Sequence, residues 1–226
     1  MAQERLVAMK TETVSFSVVR RLPRYYRFLS DLHAAEVTRI SSRQLAELMG
    51  ITSSQIRQDL NCFGGFGQQG YGYNVEQLHS AIGRILGLDG LYPTVLIGAG
   101  NLGRAIGTKM DFEANGFRLI GAFDQSPEKI GKEMRNLTVQ DVATLAAFCR
   151  EEHPLVAMIC LPPDAAKAVC AVLYEGGVRA FWNFSHYNIL ADYPDAAVEN
   201  VHLEDSLMTL CYRLTHPTGV PEQDET

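Results

Sequence analysis

Long apolar runs are missing from this 226-residue sequence, and none approaches the ~20 residues that a membrane-spanning helix needs. The opening MAQERLVAMK lacks the apolar core of a secretory signal. Paired cysteines are missing too. The five present (Cys62, Cys149, Cys160, Cys170, Cys211) are scattered, odd in number and without C-x-x-C spacing. That argues against a zinc site or a disulfide framework and predicts reduced thiols in a cytoplasmic protein. The six histidines (His33, His79, His153, His186, His202, His216) form no recognisable acid–base pair. No internal repeat is present.

Positive charge is also scarce: 20 Lys+Arg stand against 26 Asp+Glu, a net charge of −6. Taken whole, that argues mildly against a nucleic-acid partner. The distribution matters more. Residues 1–85 hold ten basic against seven acidic side chains, whereas residues 86–226 hold ten against nineteen. A slightly basic first third on an acidic remainder suggests two jobs, and the length suits two domains.

The pattern RRLPRYYRFLSDLHAAEV predicts a short helix interrupted at Pro23, then a longer one through about Ala35. Ser41-x-x-Gln44 and Thr52-x-x-Gln55 are capping boxes that open two short helices, with Gly50 stopping the first. Two capped helices around a glycine turn make a helix-turn-helix pattern. In the second, Ile56 and Leu60 share the buried stripe, which leaves Ser53, Ser54, Arg57, Gln58 and Asn61 on the open face. Alone, that face reads as ordinary solvated helix. The next stretch, FGGFGQQGYGY, shifts the reading. It alternates glycines with Phe63, Phe66, Tyr71 and Tyr73, as a hairpin packed by aromatics would and a flexible linker would not. Helix-turn-helix followed by a hairpin is a winged helix, used mostly on DNA and also on proteins.

A helix over 74–88 leads to Asp89-Gly90 and a second domain. A buried strand over 94–97 runs into Gly98-Ala99-Gly100-Asn101-Leu102-Gly103 and a helix, and FRLIGAFD supplies a second strand that ends at Asp124. A G-x-G-x-x-G placed between strand and helix, with a carboxylate closing the next strand, points to dinucleotide binding. The glycines admit a tight turn and close backbone approach, and the helix N-terminus faces the pyrophosphate. Asp124 can accept from ribose hydroxyls and would repel a 2′-phosphate, favouring NAD over NADP. Further expectations are a helix over 139–149, a strand in LVAMICL, a helix over 165–174, a strand in RAFWNFS and a last helix over 205–214. The tail THPTGVPEQDET is expected to be disordered.

Taken together, RRLPRYYRFLSDL, ISSRQLAELMGITSSQIRQDL, FGGFGQQGYGYNV, GAGNLG, FDQSPEKIG, LPPDAA and WNFS resemble the redox-sensing transcriptional repressor Rex family over roughly residues 14–212. The resemblance implies an α/β protein: an N-terminal winged helix-turn-helix domain (1–85), a C-terminal Rossmann domain (86–200), a swapped C-terminal dimerisation helix (201–214) and a tail (215–226). It implies a homodimer that binds a palindromic double-stranded operator, touches no membrane, and is released from DNA by NADH. The implied DNA contacts are Ser53, Ser54, Gln55, Arg57 and Gln58, with Gly67, Gln68, Gln69, Gly70 and Tyr71 in the wing. The implied NADH/NAD⁺ contacts are Gly98, Ala99, Gly100, Asn101, Leu102 and Gly103, with Asp124, Lys129, Leu161, Pro162 and Asn183. A dry or positively charged pocket would prefer NADH, which carries one charge less on its ring.

Two departures matter. Arg27 matches an arginine that, in the family, joins an aspartate and a tyrosine to link sensor and DNA domain. Here those positions, beside Leu203 and at the end of the glycine-turn helix, are His202 and Lys109, with Glu204 or Asp205 as alternative acids. The resemblance therefore implies NAD(H) binding more firmly than NADH-driven release. Moreover, Gln58, Gln68 and Gln69 stand where relatives usually carry cations. Two rival readings remain, a coenzyme A-type nucleotide module and an NAD-dependent oxidoreductase. The second lacks room for a substrate domain and lacks an acid–base residue pair.

Overall fold

Val18, Leu22, Tyr25 and Leu29 recur every three or four residues and form the buried stripe of one helix, α1 (Phe16–Ala34). The computed structural model describes residues 14–64, 66–68 and 71–216, and the chain divides after Asp89 into two compact units. Gly65, Gln69, Gly70 and the expected tail from Pro217 onward lie outside the described residues.

The break expected at Pro23 is absent, because α1 runs through it. Proline inside a helix forfeits one backbone hydrogen bond and costs about 3 kcal/mol. Here the ring lies on the exposed side. Val18 and Leu22 before it and Tyr25 and Leu29 after it pack into one core, which holds both halves in line.

Strand β1 (Arg39–Ile40) precedes α2 (Ser42–Met49) and α3 (Ser53–Asn61). The first capping box is complete: Ser41 Oγ accepts from the Gln44 N–H at 3.1 Å, and Gln44 Oε1 accepts from the Ser41 N–H at 3.0 Å. Gly50 ends α2 in the left-handed region at φ 67°. The second box is only half made. Thr52 Oγ1 accepts from the Gln55 N–H at 3.1 Å, but the Gln55 side chain turns to Asp59 instead. Strands β2 (Gly67–Gln68) and β3 (Gly72–Asn74) complete an antiparallel sheet in the order β1-β3-β2. At Gly72, φ is +70° and a Cβ would lie 2.4 Å from the Ile40 carbonyl oxygen, so only glycine fits. The four aromatics of this segment divide: Phe63 and Tyr73 are buried and Phe66 packs against them, while Tyr71 is 71% exposed. Helix α4 (Val75–Ile85), capped by Asn74, closes the unit.

The second unit is a doubly wound sheet. Strands β4 (Tyr92–Ile97), β5 (Phe117–Asp124), β6 (Glu133–Met134), β7 (Leu137–Asp141), β8 (Val156–Ile159), β9 (Ala180–Asn183) and β10 (Ala197–Asn200) lie in the order β10-β9-β8-β4-β5-β7-β6. All neighbours run parallel except β6 and β7. The strand order reverses between β4 and β8, which puts a crevice at their carboxyl ends. Helices α5 (Asn101–Lys109), α6 (Leu145–Glu152), α7 (Pro163–Glu175) and the short α8 (Ile189–Asp192) form the crossovers, and α9 (Leu203–Thr215) follows β10.

The helix expected over 139–149 is corrected. Residues 137–141 are strand β7, because Val139 pairs with Ala122 on β5 and is buried there. Only the part from Leu145 is α-helix. The β6 and β10 strands are too short for a periodic signal to rise above their neighbours. No helix among the described residues is long and apolar enough to cross a membrane.

Candidate nucleotide cradle and DNA-reading face

At the carboxyl end of β4 the three glycines of the turn serve different purposes. Gly98 has φ +98°, and a Cβ there would meet the Cys160 carbonyl oxygen at 2.3 Å. At Gly103 a Cβ would lie 1.9 Å from the Gly98 oxygen, so helix and turn could not pack. A Cβ on Gly100 would meet nothing within 4 Å. Gly98 and Gly103 thus make the turn, and Gly100 leaves open space. Gly100 is also the N-cap of α5 and offers no side-chain cap, so the first N–H groups of the helix have no side-chain acceptor. Uncapped amides at a helix start suit an anion.

Asp124 lies beside the turn, 4% exposed. Its Oδ2 accepts from the Ala99 N–H at 2.8 Å and from Lys129 Nζ at 3.1 Å, and its Oδ1 accepts from the Ser126 N–H at 2.9 Å. Burial opposes ionisation, but these donors outweigh it and hold the carboxyl below its ordinary value of 3.8. The expectation of a carboxylate free for a ribose is therefore narrowed. A carboxylate has about four acceptor positions, and three are occupied within the chain.

Ile97, Asp124, Gln125, Val142, Leu161, Ala165, Ala168 and Val169 line a cavity of about 230 Å³ at this edge of the sheet. Its walls are mainly aliphatic, as a flat aromatic base requires. Leu161 is thus at the cavity, and Pro162 is the N-cap of α7 beside it. The Asn183 side chain is committed within the chain. It is fully buried; Nδ2 donates to the Tyr187 carbonyl at 3.0 Å and to Asn200 Oδ1 at 2.8 Å, while Oδ1 accepts from the Ser185 N–H and hydroxyl. No side-chain hydrogen-bonding position remains open, and the side chain braces the loop after β9. Burial pushes the Cys160 and Cys170 thiols up to about 12, so neither is a reactive thiolate near neutrality. Among the described residues no cluster of His, Cys, Asp and Glu could hold a metal ion.

In the first unit, α3 presents Ser54, Arg57 and Gln58 outward, with Ser53 half-buried. Arg57 donates to Ser42 Oγ and to Ser54 Oγ, each at 3.2 Å, which fixes its guanidinium between α2 and α3. In the wing, Tyr71 lies under Arg39, whose guanidinium carbon is 6.0 Å from the ring centre. Gly67 and Gln68 lie on β2.

Patterning missed a buried polar cluster. Asp59 is 0% exposed and accepts from Arg21 through Nε and Nη2 at 2.8 Å each, from the Tyr25 hydroxyl at 2.8 Å and from Gln55 Nε2 at 2.7 Å. A signal existed: Asp59 follows Ile56 by three residues on the apolar stripe, where a carboxylate requires a cation.

The residues matched to the family's switch lie in separate units. Arg27 is exposed on α1, 5.8 Å from the Phe28 ring centre. Lys109 ends α5, and Leu203 opens α9, 61% exposed. His202 is the N-cap of α9, stacks on His186 with ring centres 5.0 Å apart, and has Nδ1 3.6 Å from Asp205 Oδ2.

Comparison with known proteins agrees with both units. A model of a putative DNA-binding protein N-terminus matches residues 13–61, and a CoA-binding domain model matches residues 90–187. A redox-sensing transcriptional repressor Rex of Clostridium perfringens is 49% identical over 208 residues, covering 92% of this chain and 97% of that protein. A Rex of Thermoanaerobacter sp. is 50% identical over 205 residues, covering 91% of each. The crystal structure of RSP in complex with β-NAD⁺ and operator DNA matches with a TM-score of 0.82 at 49% identity, over 90% of this chain and 94% of that one. RSP in complex with β-NADH matches with the same TM-score at 46% identity, over 91% and 96%. With a winged DNA-binding unit, a Rossmann unit and close to half of its residues shared with these repressors across nearly its whole length, the chain belongs to the redox-sensing transcriptional repressor Rex family.

Proposed function

We propose that this chain is a non-catalytic, DNA-binding repressor that senses NADH against NAD⁺ and leaves its operator when NADH binds. The observation that carries the reading is the open space over Gly100 at the uncapped start of α5, at the point where the sheet order reverses. A pyrophosphate fits there, with the aliphatic cavity beside it for the base. RSP, 49% identical in its operator complex, holds β-NAD⁺ and DNA together, and a second RSP structure holds β-NADH. The nucleotide supplies the redox signal and no reaction is performed on it. Gly98 to Gly103 would hold the phosphates, Leu161 and Pro162 would border the base, and Lys129 would sit at the ribose end. Ser54, Arg57, Gln58 and the wing from Gly67 to Tyr71 would contact DNA.

The homodimer belongs to this reading. Every residue of α9 is exposed, and Leu207, Leu210 and Leu214 present an apolar stripe at 61%, 51% and 71%. A partner subunit would cover it. A cytoplasmic repressor of this kind acts where its operators and NADH pool are.

A second reading has specific support. The CoA-binding domain model spans residues 90–187, and Lys129 offsets the Asp124 charge that would repel an adenosine phosphate. Calorimetric titration with NADH, NAD⁺, ATP and CoA decides between them. NADH and NAD⁺ should bind and CoA should not; CoA binding without NADH binding would overturn the proposal.

A further inference from the structure

Asp59 sits inside the helix that would lie on DNA, yet its side chain points away from the open face and is fully buried. Its four hydrogen bonds come from three residues, Arg21 and Tyr25 on α1 and Gln55 one turn earlier on α3. Together they fill the acceptor capacity of a carboxylate. Gln55 is half-buried, and its amide is committed to this carboxylate at 2.7 Å. Gln58 and Arg57, by contrast, are exposed. A charge-assisted bond to a buried carboxylate that Arg21 and Tyr25 tie to α1 is not given up readily for a base edge.

We infer that Gln55 is a positioning residue that reads no base: with Arg21 and Tyr25 it saturates Asp59 and so fixes the rotation of α3 about its own axis against α1. The inference rests on the operator-binding reading above. If α3 rotated, every side chain on its open face would leave its base pair together, so loss of the strut weakens all duplexes alike. A residue that reads a base does the opposite, since its removal relaxes discrimination at one position.

The test uses the full chain with Gln55→Ala and Tyr25→Phe, measured by fluorescence anisotropy on an operator duplex and on duplexes with each half-site base pair changed in turn. Both variants should weaken binding by about tenfold on every duplex, the size expected for one charge-assisted hydrogen bond, and should leave the ranking of duplexes unchanged. Tyr25 is fully buried and cannot reach DNA, so its variant decides the matter if Gln55→Ala fails to fold. Relaxed discrimination at one base pair in Gln55→Ala, or unaltered affinities in Tyr25→Phe, would overturn the inference while leaving operator binding intact. A native protein that binds no duplex would instead overturn the reading beneath it.

Discussion

Single residues decide what the two sites can recognise, and Asp124 shows how. Its carboxylate holds the turn to the end of β5 through Ala99 and Ser126, and Lys129 screens it. Asp124→Ala should therefore release a lysine at the ribose end and narrow the preference for NADH over NADPH, as competitive titration would measure; an unchanged ratio would place the ribose elsewhere. The same contacts set a pH dependence. The native carboxyl ionises below its ordinary 3.8, so its contribution to stability is complete above that value and is lost as pH falls through the lowered one. Thermal unfolding should show no contribution from Asp124 to pH dependence between pH 5 and 8, and the Asp124→Asn variant should lose less stability than the native chain below about pH 4. At the DNA-reading face, Gln58 can donate to N7 and accept from N6 of adenine, whereas lysine donates to guanine. The native protein should favour an A·T pair by about 1–3 kcal/mol and Gln58→Lys should shift toward G·C; paired palindromes differing at that position measure it. The residue types at both sites were legible, but their commitments were not. Asn183 and Gln55 look open to a ligand in sequence because an amide shows no sign there of the bonds it makes once folded, those of Asn183 to Ser185, Tyr187 and Asn200 and that of Gln55 to Asp59.

At the level of elements, capping residues and glycines carried most of the legible information. The Ser41–Gln44 box, the Gly50 stop and the cradle of Gly98 to Gly103 are local chemistry, and local chemistry is written in neighbouring residues. Pro23 misled because burial on both flanks of α1 overrides a local penalty. Strand β7 misled because its pairing with β5 is non-local. Gly103→Ala should abolish NADH binding and lower the melting temperature, since its Cβ would fall 1.9 Å from backbone. Gly100→Ala meets nothing inside the chain; it should fold normally and weaken the dinucleotide alone. Calorimetry paired with thermal melts separates the two variants. The α9 stripe yields another prediction. Truncation after Asn200 should give monomers by analytical ultracentrifugation with lost operator affinity, and a truncated chain that stays dimeric would exclude α9 as the interface.

At the scale of the molecule, the account rests on linkage: two ligands that favour different states must weaken one another, by equal factors. The uneven charge of the chain anticipated two binding jobs, but no property of one sequence shows how the jobs are coupled. The most direct measurement is operator affinity of the native protein by anisotropy at saturating NADH and at saturating NAD⁺, with nucleotide saturation checked by calorimetry. The account predicts markedly weaker operator binding with NADH than with NAD⁺, and reciprocally weaker NADH binding when operator is present. Equal operator affinity with NADH and NAD⁺ both bound would contradict it.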